Sequence, residues 1–371
     1  MIDKTVFLVT HEYPPKRGGA GTYCEELVFA CDQLGIPLKV WAPEYAGKLK
    51  SEKFRVLPIK GTQDWICSIK SVLTIAKKLK KGTAQATIHL AEPGSLRAFI
   101  RFGWLLRKKP DLIVTIHGSE LLRFCSNPFG KFLFQRFLKK TRRIHVLSHF
   151  NKNALLKLVP EVEERVLLFP GAPARRLTGK GVRKAPGKDK KIKILCVGRI
   201  HPRKGQDRLL EAVSKLSDRL TRKIQCLLVG PVVKRKFYEK LKKIASGLNC
   251  QISFLGDLQD DELRNVYQEV DLFVMPSMPR EKSIEGFGFV YLEAASHGLP
   301  VIAHETGGVK DAVRHGENGF LISPDKPNAL AECMSKLIED EDLRKKMGNQ
   351  GIKWASTHSW EEVAMQLYVG N

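Results

Sequence analysis

Two glutamates with seven residues between them, Glu285 and Glu293, stand in the segment EKSIEGFGFVYLEAASHGLPVIA, and a glycine-rich turn follows the first. The pattern predicts a helix that starts near Gly286, and residues eight apart on a helix lie on roughly one face. Carboxylates accept hydrogen bonds from hydroxyls, and free N–H groups at a helix start attract phosphate oxygens. The structural alternatives are helix capping by Glu285 and a buried, locally bonded Glu293. The segment favours a ligand that carries both hydroxyls and phosphates.

Two further turns each follow an apolar run and precede a helical pattern. In HEYPPKRGGAGTY, Gly18 and Gly19 permit close approach of the backbone, although no Walker sequence follows. In VGRIHPRKGQD, Arg199 and Lys204 bracket the turn, and a guanidinium with an ammonium suits a diphosphate. The alternatives are a tight connecting turn and ordinary solvated charges. One such turn in each half of the chain favours an anionic ligand.

His117 ends the strongly apolar run DLIVTIHG and is followed by Gly118, Ser119 and Glu120. Ligands of open α/β sheets bind at the carboxyl ends of the strands. A lone histidine is often structural, but its position at a strand end before a glycine turn makes His117 a candidate site residue.

Short apolar runs alternate with helical patterns along the whole chain. Runs of this kind are typical of parallel strands buried on both faces. The predicted strands are TVFLVT, LKVWAP, FRVLPI, ATIHLA, DLIVTIHG, RIHVLS, RVLLFPG, KIKILCVGRI, IQCLLVG, ISFLG, LFVMPS, PVIAHE and GFLIS. The alternation predicts an α/β protein with two doubly wound domains.

The domain boundaries follow from composition. The stretch around residues 171–193 is rich in Gly, Pro and Lys and has no apolar period, which is typical of an exposed linker. We place an N-terminal domain at 1–175, the linker at 176–192 and a C-terminal domain at 193–355. A last amphipathic helix is predicted at 356–371, with Ser359 as its N-cap.

The composition excludes several classes of protein. Of the 371 residues 43% are hydrophobic, yet no apolar run reaches the length of a membrane-spanning helix. The apolar part of the N-terminus is too short for a signal peptide. The eight cysteines form no CxxC pair, so reduced thiols are expected in place of disulfides or a zinc site. These features predict a cytoplasmic protein.

The net charge of +24 is unevenly distributed. Residues 1–170 carry 29 lysines and arginines against 14 acidic residues, whereas residues 194–371 carry 25 against 24. This asymmetry predicts an anionic partner for the first half. A generally basic proteome is the alternative. A nucleic-acid-binding protein is a rival interpretation, but no zinc-finger, RNP or helix-turn-helix pattern accompanies the charge, so no specific nucleic acid is expected.

Five segments appear in order along nearly the whole chain: PPKRGGAGTY, HGSE, GRIHPRKG, EGFGFVYLEA and ETGGVKDAV. Together they resemble the retaining GT-B-fold glycosyltransferases of family 4, the glycogen-synthase-like and lipid-mannosyltransferase-like enzymes. The resemblance implies two facing Rossmann-like domains with a cleft between them. The C-terminal domain would hold the nucleotide sugar, and the last helix, near Trp360, would cross back to the N-terminal domain.

The resemblance also implies an activity. The chain would be a retaining hexosyltransferase that uses a UDP- or GDP-linked sugar in the synthesis of a lipid-linked glycan, lipopolysaccharide or other cell-envelope glycoconjugate. A nucleotide-sugar epimerase, a phosphorylase or a non-catalytic membrane scaffold on the same fold are the alternatives. No acidic DxD-like pair stands in the predicted loops, so no metal or other cofactor is expected.

The resemblance further implies roles for single residues. Catalytic roles fall to His117, Glu285, Arg199 and Lys204. Donor binding falls to Gly18, Gly19, Arg199, Lys204, Gly286, Phe287, Gly288, Glu293, Gly307 and Gly308. Glu293 would hold the ribose hydroxyls and Glu285 the transferred sugar. The acceptor side would include Tyr23, Glu120 and Ser148.

The chain departs from the family pattern at two places. Gly171-Ala172-Pro173 replaces the usual Asn-Gly-Val-Asp-like turn, so no donor contact is assigned there. The loop PSMPREKSIEGFG is longer than in many relatives, so sugar selectivity around Arg280, Glu281 and Lys282 is not assigned either.

Two basic amphipathic segments in the first half, SIKSVLTIAKKLKKG and GKFLFQRFLKKTRR, predict docking on an anionic membrane. In this interpretation the protein is peripheral on the inner face of the cytoplasmic membrane, where a lipid-linked acceptor would lie. The alternative is that both apolar stripes are ordinary core faces of α/β helices.

Overall fold

A computed structural model of the chain describes residues 5–16, 18–45, 54–79, 86–106, 110–178, 191–326 and 328–370. The chain divides into two compact units. Unit 1 comprises residues 1–171 and 359–371, and unit 2 comprises residues 172–358. The last helix therefore belongs to the N-terminal unit.

Unit 1 is built on a seven-stranded sheet in the order β3-β2-β1-β4-β5-β6-β7. Every neighbouring pair is parallel. Its strands are β1 (Val6–Val9), β2 (Leu38–Pro43), β3 (Phe54–Leu57), β4 (Thr87–Leu90), β5 (Asp111–Ile116), β6 (Arg143–Val146) and β7 (Val166–Leu168). Each lies within one of the seven apolar runs predicted for the first half.

Seven described helices accompany this sheet. They are α1 (Gly19–Gln33), α2 (Trp65–Leu79), α3 (Pro93–Phe102), α4 (Ser119–Phe124), α5 (Pro128–Leu138), α6 (His149–Leu158) and, from the end of the chain, α14 (Trp360–Tyr368). Short 3₁₀ turns follow α3 and α6.

Unit 2 has a six-stranded parallel sheet in the order β10-β9-β8-β11-β12-β13. Its strands are β8 (Ile192–Val197), β9 (Ile224–Val229), β10 (Gln251–Gly256), β11 (Leu272–Met275), β12 (Val301–His304) and β13 (Gly319–Ile322). Its described helices are α7 (Gln206–Val213), α8 (Asp218–Thr221), α9 (Arg235–Ala245), α10 (Asp260–Glu269), α11 (Phe289–Ser296), α12 (Ala329–Glu339) and α13 (Glu341–Ser356). The two parallel sheets with their helices confirm the predicted fold class of two doubly wound α/β domains.

The strand order places one topological switch point in each unit. In unit 2 the order reverses between β8 and β11, so the loops that leave their carboxyl ends lie side by side. Ligands of open α/β sheets bind at such a point. The two loops are the segments GRIHPRKG and PSMPREKSIEGFG, which carry half of the predicted donor residues.

Most of the predicted linker, residues 179–190, lies outside the described residues. The described part before it is largely packed, since Ala172, Ala174 and Leu177 are buried and only Arg175 and Thr178 are exposed. The Leu177 carbonyl accepts a hydrogen bond of 2.6 Å from the His297 ring. Residues 172–178 are therefore part of unit 2, and their Gly/Pro composition did not reveal this because the contacts are made with distant residues.

The last helix, α14, is fixed to unit 1 at both ends. Ser359 caps it as predicted, because its side chain accepts a hydrogen bond from the Glu362 N–H. Trp360 is 5% exposed, with its ring centroid 5.6 Å from that of Tyr23 in α1. Arg143 donates hydrogen bonds to the carbonyls of Leu367, at 2.8 Å, and Gly370, which cap the end of the helix.

A buried hydrogen-bond network joins β4, β5 and β6 to α1 and α14. The Tyr23 hydroxyl lies 2.9 Å from Thr115 Oγ1 and 3.0 Å from His145 Nδ1. His89 contacts Thr115 Oγ1 at 2.7 Å and the Tyr368 hydroxyl at 2.6 Å. Burial lowers the pKa of His145 to about 4 and holds the pKa of His89 well below its usual value. Both rings are therefore neutral in the folded protein at neutral pH.

This network predicts that unit 1 loses stability on mild acidification. The unfolded chain binds protons at these histidines below about pH 6.5, whereas folded His145 does not until about pH 4, so the free energy of unfolding falls between these values. Each histidine contributes a slope of about 1.4 kcal/mol per pH unit. Urea denaturation followed by tryptophan fluorescence should show this slope. In His145→Gln the free energy of unfolding should depend less steeply on pH, although its value at pH 7 should be lower. An unchanged dependence on pH would contradict the assignment.

Candidate functional site

The turn after β8 is shaped to bury a lysine. Gly205 has φ +71°, and a Cβ on it would lie 1.9 Å from the carbonyl oxygen of Pro276 in the loop after β11. Gly198 has φ +155°, and a Cβ there would press on the aliphatic chain of Lys204 at 3.3 Å. The two glycines therefore let the β8 and β11 loops touch and let the Lys204 side chain fold beneath them, where it is only 9% exposed.

Glu285 is held by two cations at this point. Its Oε2 accepts hydrogen bonds from Lys204 Nζ at 2.8 Å and from Arg203 Nη1 at 2.5 Å. The side chains of all three residues are 11–12% exposed. Burial opposes ionisation of the carboxyl, but Lys204 and Arg203 outweigh it and lower the pKa of Glu285 to about 2. The carboxylate is therefore anionic at every physiological pH.

The start of α11 differs from the sequence-based prediction. The helix begins at Phe289 and not near Gly286, so Glu285 precedes it and neither caps it nor shares a helix face with Glu293. The reason is the N-cap residue Gly288, whose φ of +93° cannot continue a right-handed helix. Phe287, 2% exposed, is buried within the turn. The turn thereby separates the two carboxylates that the sequence placed on one element.

Gly307 and Gly308 fix the backbone of Glu285. Gly307 has φ +56°, and a Cβ on it would lie 2.1 Å from the Glu285 carbonyl oxygen. That same oxygen accepts a hydrogen bond of 2.9 Å from the Gly308 N–H. These glycines position Glu285 through its main chain, and their predicted contact with a nucleotide stays a prediction.

Glu293 lies in the middle of α11 and is 5% exposed. Its Oε2 accepts a hydrogen bond of 3.2 Å from the Tyr267 hydroxyl. Burial raises the pKa of Glu293 to about 7, and the bond from Tyr267 acts in the opposite direction. This carboxyl therefore changes charge near neutral pH, unlike Glu285.

The edge of unit 2 around these loops is strongly basic. Arg199 is exposed at the same turn. The pKa of His201 reflects this charge. Burial lowers the pKa, and four nearby cations lower it further: Arg199, Arg203, Lys234 and Arg280. Sequence reasoning missed Arg203. The only local signal was its place beside Lys204 in a turn started by Pro202, where two adjacent cations share one 3₁₀ turn.

His117 lies at the carboxyl end of β5 in unit 1 and is half-buried. Its Nε2 lies 2.9 Å from the carbonyl oxygen of Ala91, which can only accept, so Nε2 carries the proton. Its backbone N–H donates to the Glu120 carboxylate. Gly118, with φ +120°, makes the turn that follows. In the neutral imidazole, the bond from Nε2 leaves Nδ1 as a hydrogen-bond acceptor.

The three residues predicted for the acceptor side all have structural roles. Tyr23 is 0% exposed and belongs to the buried network of unit 1. Glu120, 1% exposed, holds the His117 turn, and Ser148, 0% exposed, caps α6 by accepting a bond from the Asn151 N–H. These side chains are buried within unit 1, and their predicted contact with an acceptor stays a prediction.

The N-terminus of α1 already has an acidic neighbour. Gly18 is its N-cap and Gly19 its first residue. The Glu12 carboxylate lies against this end, where it accepts a hydrogen bond of 3.3 Å from the Gly21 N–H. A phosphate at this helix end would have to displace or share the place of Glu12, so the predicted donor contact of Gly18 and Gly19 stays a prediction.

Three further observations concern the described residues as a whole. They contain no group of three or more His, Cys, Asp or Glu side chains that could hold a metal ion. Among them no helix is both long and apolar enough to cross a bilayer. All eight cysteines are described and have free thiols.

Comparison with known families decides the identity of the chain. Residues 17–171 match the model of Glycosyltransferase Family 4, and residues 181–354 match that of Glycosyl transferases group 1. The chain belongs to glycosyltransferase family 4. The family recognised from the five sequence segments is thereby confirmed, and the protein is a glycosyltransferase.

A curated relative and two solved structures align with this glycosyltransferase over nearly its whole length. It is 25% identical to the GDP-mannose-dependent alpha-(1-6)-phosphatidylinositol monomannoside mannosyltransferase of Mycobacterium tuberculosis, over 98% of this chain and 96% of that protein. Sucrose-phosphate synthase from Thermosynechococcus elongatus superposes with a TM-score of 0.75 at 20% identity, over 98% and 97% of the two chains. WaaG, a glycosyltransferase involved in lipopolysaccharide biosynthesis, superposes with a TM-score of 0.74 at 17% identity, over 99% and 100%. These structures confirm the GT-B fold.

Proposed function

We propose that this glycosyltransferase transfers a hexosyl group from a UDP- or GDP-linked sugar with retention of anomeric configuration and without a metal ion. The observation that carries the proposal is the pairing of Glu285 with Lys204 and Arg203 at the switch point of unit 2. With Arg199 included, the loops after β8 and β11 bring together three cations and one carboxylate. The surplus of two positive charges matches a diphosphate. The GDP-mannose dependence of the mycobacterial relative favours GDP-mannose as the donor.

The roles in this mechanism follow from charge. The bond to the leaving nucleoside diphosphate breaks with growth of negative charge on its phosphate oxygens. Fixed cations stabilise that charge more in the transition state than in the ground state, which is the task of Lys204, Arg203 and Arg199. Glu285, anionic and fixed by Gly307 and Gly308, accepts hydrogen bonds from the sugar hydroxyls. The predicted donor contacts of His117 and Gly19 lie in unit 1 and stay predictions.

Titration calorimetry with UDP, GDP and ADP, in buffer that contains EDTA, tests the donor site. Binding of UDP or GDP that is weakened in Lys204→Met supports it, and the absence of binding by any of the three would overturn it. NMR of the product formed with the matching sugar donor and a lipid-linked acceptor tests the stereochemistry. An inverted anomeric product would overturn retention, activity that returns only with Mg²⁺ or Mn²⁺ would overturn metal independence, and conversion of the donor without any acceptor would indicate an epimerase.

Glu293 predicts a pH-dependent affinity for the donor. If its carboxylate holds the ribose hydroxyls, the donor binds the ionised form, and the pKa of about 7 means that this form is lost on acidification. The Kd of the donor should therefore rise by about tenfold per pH unit below pH 7, and Glu293→Gln should bind weakly at every pH. Tyr267→Phe removes the bond that lowers the pKa of Glu293, so its midpoint should move to higher pH. Calorimetry from pH 6 to 8 measures all three, and a wild-type Kd independent of pH would contradict this role.

We further propose a lipid-linked acceptor in cell-envelope glycan synthesis, with the enzyme peripheral on an anionic membrane. The mycobacterial relative is a phosphatidylinositol monomannoside mannosyltransferase, and WaaG is involved in lipopolysaccharide biosynthesis. Both support this proposal, as does the basic charge of residues 1–170. The buried part of the two apolar segments named from sequence does not supply the contact. Their central residues Val72, Ile75, Phe134 and Leu138 are 0–2% exposed and fill the core of unit 1.

The cations at the end of the second segment are also engaged within the protein. Lys139 pairs with Glu161 at 2.7 Å and Arg142 with Asp111 at 3.0 Å. Arg143 caps α14. We therefore assign the membrane contact to other side chains of unit 1.

A further inference from the structure

The outer face of α5 is unusually apolar. Phe129 is 71% exposed and Phe132 is 55% exposed, and their spacing of three residues puts them on one side of the helix. Phe134 and Leu138, on the opposite side, are 0% exposed and pack into the core. The helix thus has a complete core face and, in addition, two phenylalanine rings directed outward.

Among the described residues, exposed aromatic rings are confined to unit 1, the unit that contains α5. Among the described Trp and Phe residues, four are exposed: Trp65, Trp104, Phe129 and Phe132. All four belong to unit 1, and those described in unit 2 are buried or half-buried. Such rings are the side chains that proteins place at membrane–water interfaces. Their distribution follows the distribution of positive charge along the chain.

The sequence around α5 carries only basic charges. Residues 121–140 contain five lysines and arginines and no acidic residue. Arg123, Lys131 and Arg136 are exposed, and Lys131 and Arg136 flank Phe132 in the sequence of the helix. Aromatic rings between cations on a surface helix suit an anionic phospholipid layer, where the rings enter the headgroup region and the cations stay at the phosphates.

We propose that the outer face of α5, formed by Phe129, Phe132 and Arg136 with the exposed Lys131 at its margin, is the surface by which this enzyme docks on an anionic phospholipid bilayer. The inference rests on the peripheral location proposed above and specifies its contact. Because α5 belongs to unit 1 and the Glu285 turn to unit 2, substitutions on this face alter no residue of that turn and are expected to leave nucleotide binding unchanged.

Co-sedimentation of the full chain with phosphatidylcholine vesicles, with or without phosphatidylglycerol, tests the surface. Wild type should sediment with the anionic vesicles only. Phe129→Ser/Phe132→Ser should bind them at least about tenfold more weakly, because the inserted rings are lost. Lys131→Ser/Arg136→Ser should lose about 30-fold, equivalent to about 1 kcal/mol for each removed cation. Ile352→Ser is the matched control, since Ile352 is an exposed apolar residue of unit 2, and it should bind as wild type.

The outcomes separate the two proposals. If the phenylalanine variant binds anionic vesicles as wild type does, the α5 surface is wrong although the membrane location stands. If wild type binds neither kind of vesicle, the surface and the location both fail, while calorimetry with UDP and GDP still decides the transferase site. If the phenylalanine variant changes only the oligomeric state in size-exclusion chromatography, the face joins copies of this chain and the membrane assignment is overturned. Thermal unfolding and donor binding verify that each variant is folded.

Discussion

Glu285→Gln is expected to lower kcat by about 10²–10³-fold while the nucleoside diphosphate still binds. Glutamine preserves the shape of the side chain but removes its negative charge. In the wild type, Lys204 and Arg203 lower the pKa of Glu285 to about 2 and so keep it ionised. Positive charge develops on the sugar as the leaving group departs, so contacts to a carboxylate strengthen in the transition state. The diphosphate contacts the cations and not the carboxylate, which is why its affinity should persist. Steady-state kinetics combined with calorimetry separates the two effects.

The same substitution should lower the stability of unit 2. It leaves two poorly exposed cations without their anionic partner, and breaking a buried ion pair from one side costs about 3 kcal/mol. Added diphosphate should restore part of this loss, because it supplies the missing negative charge. Glu281→Gln is the matched control: it lies in the same loop, its side chain is 88% exposed, and neither kcat nor stability should change. Wild-type kcat in Glu285→Gln would remove Glu285 from the reacting sugar.

Trp360→Ala is expected to destabilise unit 1 by about 3–5 kcal/mol. The indole is 5% exposed and packs edge-on against Tyr23, whose hydroxyl anchors the buried network of histidines. Truncation leaves a cavity between α14 and α1, and it loosens the element that brings Tyr368 to His89. Loss of this magnitude is a large part of the stability of an ordinary domain.

Thermal unfolding of the full chain measures this effect. Met365→Ala is the control, because Met365 lies on the same helix and is 41% exposed, so little packing is lost. Calorimetric donor binding at low temperature should be unaffected in both variants, since the donor residues proposed for unit 2 lie outside the altered contact. If Trp360→Ala unfolds at the wild-type temperature, α14 is not the structural part of unit 1 that its contacts indicate.

The sequence by itself determined the architecture of both units. A strand buried on both faces of a parallel sheet must be apolar at nearly every position, and this condition depends on a few consecutive residues. Each of the predicted apolar runs contains a strand, from Val6–Val9 to Gly319–Ile322, except that β10 begins one residue before its run, at Gln251. The Ser359 cap was equally visible, because the bond to the Glu362 N–H spans three residues. The family was predicted from glycine-rich segments, and each of these segments is a short run of consecutive residues.

The partners of the candidate site residues were decided only by the tertiary structure. Glu285 and Arg203 are 82 residues apart and meet because β8 and β11 are neighbours at the switch point. The start of α11 depended on the conformation of Gly288, which the backbone of a folded turn imposes. Sequence spacing could show that charges were present in each loop, but not which cation would pair with which carboxylate.

The α5 helix shows the same division within a single element. Its sequence determined that the helix is both apolar and basic, since PFGKFLFQRFL contains four phenylalanines and two cations. Phe132 and Phe134 are identical in type and two residues apart, yet one is 55% exposed and the other 0% exposed. Helical geometry points the two side chains in different directions. Only the position of the sheet determines which of the two directions faces the core. Phe134 packs into the core, whereas Phe132 lies at the surface, where we propose that its ring contacts the membrane.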